Sequence, residues 1–413
     1  MSHWRLGVLV THPIQYYAPW FRHLAERMDV EVFCAHRQDG TGQARAGFGM
    51  EFEWDVPLLE GYRYRWLQNV ARRPGVGTFS GCDTPEIHEI VSSTPFDAFL
   101  IIGWNYRSAL QAVMACRREG VPVLMRGDSQ LATKRPLVTR ALKYVPYRFL
   151  LPRLSAHLYV GKRNRAYLEH YGVPERKLFF VPHVVDNEFF ATRAQKARET
   201  GKPAAIRKEL GIPADAFVFL LAGKMTPKKR PFDFLSAFVR ASREDPTLHA
   251  LLVGDGPLRP SLERLAESDP SRVHFAGFVN QARMPAFYGA ADALVLTSDA
   301  RETWGLVVNE AAASGIPAVV SDAAGCAPDL IDELERGLTY PVGAVDALER
   351  NMLTLRSICR RTPLRVQSAL RRKMEAYSFE RAAEGLERAL EAVASRTASP
   401  RRASPVSKVP SND

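Results

Sequence analysis

The sequence predicts an α/β protein made of two doubly wound, Rossmann-like parallel-sheet domains. Three observations predict this class. Short β-branched runs alternate with helical stretches, and they do so in two series. A polar stretch divides the series. At 413 residues the chain is too long for one ordinary core.

In the first series, residues 4–11, 29–35, 96–103 and 121–127 have the apolar character of buried strands. Residues 18–27 and 107–120 have helical spacing. Residues 37–57 are Gly-rich and predict a long loop or short strands. The α/β pattern continues through 155–161, 164–172 and 177–186. Residues 192–205 are polar with little periodicity, which places a linker at 188–203. The second series alternates strands at 217–224, 249–256, 273–278, 292–298 and 317–322 with helices at 231–242, 258–268, 282–291 and 306–314. Helical texture follows Gly343, and residues 378–396 form one amphipathic helix. The expected organisation is an N-terminal domain over 1–187, a C-terminal domain over 204–376, a final helix at 377–396 and a Ser-, Pro- and Arg-rich disordered tail at 397–413.

Composition narrows the class. With 46% hydrophobic and 24% charged residues the chain is globular. No apolar run is long enough to span a bilayer. The first residues fit a strand and lack the h-region of a signal peptide. Five scattered cysteines suggest reduced thiols in a cytoplasmic protein and show no metal-ligand spacing. The net charge of +11 is concentrated. Residues 117–165 hold twelve Lys or Arg, among them Lys134, Arg135, Arg140 and Lys143, against Glu119 and Asp128 alone. Interleaved Leu, Val, Tyr and Phe make this an amphipathic basic surface. It is either a solvated helix face or a surface drawn to an anionic membrane or a lipid-linked acceptor. No nucleic-acid motif accompanies it.

The chemistry concentrates in a few loops. Glu302 lies in the loop between a buried strand and a helix, and Glu310 lies inside that helix. Eight residues of helix would rise about 12 Å, so the two acids cannot share one small atom. They suit opposite ends of a long ligand with hydroxyls at each end, and the helix N-terminus between them suits a phosphate. Gly223, Lys224 and Lys229 follow the first strand of the second series. At a strand's carboxyl edge two cations would bracket a diphosphate, or they form a solvated turn. Gly254, Asp255 and Gly256 form a structural turn. His12 and Gln15 follow the first strand of the chain and either contact a ligand or pack. Asp128 follows a strand end, with Arg126 near enough to offset its charge, and it either faces a ligand or caps the next segment with Ser129. His183 is expected to pack.

The runs Gly223–Pro231, Val253–Glu263, Val273–Val279 and Glu302–Asp322 together resemble the C-terminal domain of GT-B glycosyltransferases of the retaining family 4 type, also called glycosyltransferase group 1. The resemblance covers about 110 residues, with the glutamates at the family's spacing, and is weaker in the first domain, where it rests on His12–Gln15. It implies a GT-B fold, with two domains facing a central cleft and the C-terminal helix crossing back. It also implies metal- and cofactor-free transfer of a hexose from a UDP- or GDP-sugar, with retention, to a glycan or glycolipid hydroxyl. Lys224 and Lys229 would contact the donor diphosphate, Glu302 the sugar and Glu310 the ribose. Phe278 and Val279 would lie by the base. Thr303, Trp304, Gly305 and Leu306 would receive the donor, and Asp128, Glu302 and Lys229 would carry catalysis. Two residues depart from the pattern. Lys224 stands for an Arg and loses its bidentate fork. Thr303 stands for a Gly, and its Cβ restricts the backbone. A GT-B nucleotide-sugar isomerase and a degenerate non-catalytic partner protein stay open as alternatives. A dinucleotide enzyme does not, because neither domain has the glycine fingerprint.

Overall fold

The computed structural model describes residues 4–43, 51–133 and 136–398. The expected tail beyond 398, Lys134 and Arg135 of the basic cluster, and 44–50 of the Gly-rich loop lie outside the described residues.

Two parallel sheets form the two domains. The first has seven strands: β1 (Arg5–Val10), β2 (Asp29–Cys34), β3 (Arg63–Trp66), β4 (Ala98–Ile102), β5 (Val123–Gly127), β6 (Ala156–Tyr159) and β7 (Leu178–Phe180). They lie in the order β3-β2-β1-β4-β5-β6-β7. The second has six: β8 (Phe217–Ala222), β9 (Leu248–Val253), β10 (Val273–Gly277), β11 (Ala293–Leu296), β12 (Ala318–Ser321) and β13 (Gly337–Tyr340), ordered β10-β9-β8-β11-β12-β13. Strands β4, β8, β9, β11 and β12 are buried along their whole length. Helices cover both faces of such sheets, so both side-chain directions are apolar. This is why the strands read as continuous hydrophobic runs.

The strand order reverses between β1 and β4 in one sheet and between β8 and β11 in the other. A crevice opens at the carboxyl edge of such a switch point. The loops after β1, β5, β8 and β11 line one shared cleft.

Three elements differ from expectation. Strands β3 and β13 escape the hydrophobic pattern because both are four-residue edge strands with exposed positions. The stretch expected as a linker is helical, over Asn187–Glu199 and Lys202–Glu209. Asp186 caps the first of these helices, its Oδ1 accepting from the Phe189 N–H at 2.9 Å. Phe190, Ala194 and Ala197 form its buried stripe; two alanines in three positions leave a weak hydrophobic signal. The helix Phe379–Ala398 returns to the first domain, where it packs on β6, β7 and the helix Tyr17–Ala25. Arg27 clasps Glu387 through two bonds of 2.9 and 3.0 Å.

Candidate functional site

All fourteen residues that the sequence puts forward as catalytic, donor or acceptor contacts line one interdomain cleft of about 660 Å³. His12, Gln15 and Asp128 come from the first domain. Gly223, Lys224, Lys229, Phe278, Val279, Thr303, Trp304, Gly305, Leu306 and both glutamates come from the second.

The two glutamates sit in opposite electrostatic surroundings. Glu302 follows β11 and is buried. Lys229 Nζ lies 2.6 Å from its Oε2, Lys228 Nζ lies 3.4 Å from its Oε1, and Ser298 Oγ donates at 3.2 Å. Burial alone would raise its pKa. The two lysines overcome that and hold it down at about 2. Glu302 is therefore an anion paired with Lys229, one of the two cations expected at a diphosphate, and with Lys228. Lys228 was not anticipated, although it adjoins Lys229. The residue after them, Arg230, is held at φ 49°, ψ 48° and is clamped to Asp233 by bonds of 2.6 and 3.1 Å. This left-handed turn, uncommon for a residue with a side chain, shapes the lysine loop just before the next helix.

Glu310 lies in the seven-residue helix Val307–Ala313. Tyr16 Oη, from the first domain, donates to it at 2.8 Å, and Tyr288 Oη donates at 2.6 Å. Burial raises its pKa, against the hydrogen bonds from Tyr288, Tyr16 and Gln281. The glutamate expected at a ribose thus already holds two hydroxyls. Neither tyrosine was named from the sequence; Tyr16 follows Gln15 directly, but its partner lies 294 residues away.

Lys224, at the end of β8, is pushed down to about 8 by burial and then by Lys229 and Lys228. Asp128 accepts from Thr303 Oγ1 at 2.6 Å, a bond between the domains. Among the described residues Arg230 is the one non-glycine with positive φ, so Thr303 meets no backbone strain. The position that requires glycine is Gly305, with φ 107° and a would-be Cβ 2.8 Å from Leu296. The turn at 254–256, expected to be structural, is closely packed, a Cβ on Gly254 falling 2.1 Å from the Gly223 oxygen, and Gly254 and Asp255 also line the cleft.

Other residues hold the domains together around the site. Gln130 Nε2 donates to the carbonyls of Ala300 and Glu302, both at 3.0 Å. Trp304 lines the cleft, but its indole is 3% exposed and donates to Asn309 Oδ1 at 2.9 Å. His183 packs as expected, its ring lying 6.3 Å from Tyr17 and 5.8 Å from Trp304, with burial lowering its pKa to about 3. Arg126 does not serve Asp128 by direct contact. Its buried guanidinium donates to the carbonyls of Val181 and Pro182. His12, lowered to about 4 by burial and His36, bonds to Thr11 Oγ1 at 3.0 Å. Phe278 packs against Phe52 of the first domain, 4.4 Å between ring centres with the rings tilted by 42°.

Paired Rossmann-like domains whose switch points share a cleft define the GT-B class. Residues 203–360, most of the second domain, match the family model of glycosyl transferases group 1. The chain is 33% identical over 118 residues to the alpha-monoglucosyldiacylglycerol synthase of Acholeplasma laidlawii, covering 28% of this chain and 29% of that one. It is 30% identical over 241 residues to the D-inositol 3-phosphate glycosyltransferase of Geodermatophilus obscurus, covering 56% and 50%. The matches thus span half or less of these relatives. The fold is shared with Anabaena Alr3699/HepE, solved in complex with UDP, at TM-score 0.71 and 17% identity, over 94% of this chain and 99% of that one.

Proposed function

We propose that the protein transfers a hexose from a UDP- or GDP-sugar to a hydroxyl of a glycan or glycolipid, with retention and without a metal. The observation that carries this is the Glu302–Lys229–Lys228 cluster, set opposite Asp128 in a cleft at two facing switch points. The group 1 match, the names of the relatives and the UDP held by the Anabaena neighbour support the same reading.

In this reading the donor diphosphate lies on Lys224, Lys228 and Lys229. Glycosidic bond cleavage moves negative charge onto the diphosphate, and fixed cations in a partly desolvated cleft lower that barrier. Glu302, ionised, accepts the sugar hydroxyls. Glu310 accepts the ribose hydroxyls in place of Tyr16. Phe278 and Val279 border the base. Because lysines meet the developing charge, transfer should persist in excess chelator. Nucleotide-sugars should raise the melting temperature, since a ligand at 100 times its Kd adds about 2.7 kcal/mol to stability. A panel of UDP- and GDP-sugars in which none shifts the melt would remove the reading.

We further place the protein in the cytoplasm, against the inner face of a membrane. All five cysteines are unpaired thiols, in keeping with a reducing compartment. No helix among the described residues is long and apolar enough to cross a membrane. The helix Leu137–Leu150 instead exposes Val138, Leu142, Val145 and Phe149, each 59–73% accessible. Their spacing of 4, 3 and 4 puts them on one face, and Arg140, Lys143 and Arg148 share the helix. Leu142→Glu should abolish pelleting with anionic vesicles while leaving the melt unchanged. Equal pelleting of variant and wild type would refute this contact.

A further inference from the structure

Both carboxylate oxygens of Glu310 hold a tyrosine hydroxyl. Oε1 accepts from Tyr16 at 2.8 Å and Oε2 from Tyr288 at 2.6 Å. The two tyrosines differ in kind. Tyr288 lies in the helix Met284–Ala290, in the same domain as Glu310, and is 0% exposed. Tyr16 belongs to the other domain and lines the cleft. It precedes the helix Tyr17–Ala25, in a loop tightened where the Tyr17 and Ala18 N–H groups donate to the Ile14 carbonyl at 3.1 and 3.0 Å. From there its half-buried ring packs against a core cluster built chiefly from the second domain. Other bonds also join the domains. Gln130 and Asn309 donate to the carbonyls of Glu302 and His183, and the Lys162 N–H donates to Asp329. These keep the domains in contact when the Tyr16 bond breaks.

Burial and the Glu310 charge raise the Tyr16 pKa well above its ordinary value. The hydroxyl therefore stays protonated, and it leaves Glu310 only in competition with another donor. Ribose hydroxyls are such donors. We propose that Tyr16 is an autoinhibitory latch: it holds the acid that the ribose needs, and a donor nucleotide displaces it in order to seat. This rests on the donor reading above. The lysines attract any diphosphate, but a diphosphate without a ribose leaves the latch in place. Seating a nucleotide trades one hydroxyl for another at Glu310. The ribose thus adds less to affinity than it would at an uncontested carboxylate.

The test compares wild type with Tyr16→Phe, which loses the hydroxyl and keeps the ring. Each is titrated with UDP and GDP, following whichever binds more tightly, and with inorganic pyrophosphate, which reaches the lysines without a ribose. Tyr16→Phe should bind the nucleotide about tenfold more tightly, the scale of one hydrogen bond to a charged group, and should bind pyrophosphate as wild type does. Tyr16→Leu also lacks the hydroxyl and carries the same expectation if the phenylalanine variant folds poorly. Nucleotide affinity that is unchanged or weaker overturns the latch. A gain shared equally by pyrophosphate overturns it too, because Tyr16 would then act by holding the domains shut and not through Glu310. Failure of the donor reading shows separately, as wild type and variant that both bind neither nucleotide.

Discussion

Glu302→Ala and Lys229→Ala should each lower transfer at least ~10²-fold, the scale of losing one preorganised group at a developing charge. The Glu302→Ala loss should fall on turnover, because that group acts where the glycosidic bond breaks, whereas Lys229→Ala should lower turnover and weaken donor binding as well. Glu302 stays ionised far below neutral pH, held at about 2 by Lys229 and Lys228 against its burial. It is thus a fixed acceptor, and no acid limb above pH 5 should arise from it. The folded pKa is depressed, so the pair stabilises the fold above the unfolded carboxylate pKa, and that contribution fades as pH falls toward 2. Lys229→Ala removes the 2.6 Å partner but leaves Lys228 at 3.4 Å. The cost should stay below the ~3–5 kcal/mol of an orphaned buried charge, and the variant should fold. Circular dichroism and initial rates, taken together, check this. Rates within a few-fold of wild type for both variants would remove the assignment.

Glu310→Ala should behave differently, losing stability and donor affinity together. Its carboxylate receives Tyr16 Oη and Tyr288 Oη. Truncation leaves two buried hydroxyls without their acceptor, at about 1–3 kcal/mol each, so an unfolding free energy lower by ~2–6 kcal/mol is expected. The Tyr16 bond also joins the domains, and its loss should loosen them. Denaturant titration measures the first effect and UDP titration the second. An alanine variant as stable as wild type would show that the tyrosines do not depend on Glu310.

The contrast between the two glutamates shows what the sequence made legible. Their spacing, the loop position of Glu302 and the lysines after β8 are local patterns, and each lies within one domain. Buried parallel strands such as Phe217–Ala222 were equally readable, because two covered faces leave no polar positions. Edge strands Arg63–Trp66 and Gly337–Tyr340 were not, since they are short and partly solvated. The partners that complete the site were beyond reach for another reason. Tyr16 with Glu310, Asp128 with Thr303, and Gln130 with the Glu302 carbonyl are pairs separated by 294, 175 and 172 residues. No periodicity connects such positions; only the facing of two sheets does. That Thr303 needs no left-handed backbone is likewise visible only in three dimensions, where that demand falls on Gly305 and the threonine hydroxyl reaches Asp128.

The central claim, that the lysine loop grips a diphosphate, is tested most directly by nucleotide affinity against pH. UDP and GDP would be titrated into wild type, Lys224→Arg and Lys229→Ala between pH 7 and 9.5, following whichever binds more tightly. Burial and its lysine neighbours push the Lys224 ammonium down to about 8, and it attracts the diphosphate only when charged. The wild-type Kd should therefore rise above pH 8 by up to about tenfold per unit, one proton's linkage. Lys224→Arg should stay flat across the range, and Lys229→Ala should bind more weakly at every pH. A wild-type Kd that ignores pH, together with undiminished binding by Lys229→Ala, would contradict the account.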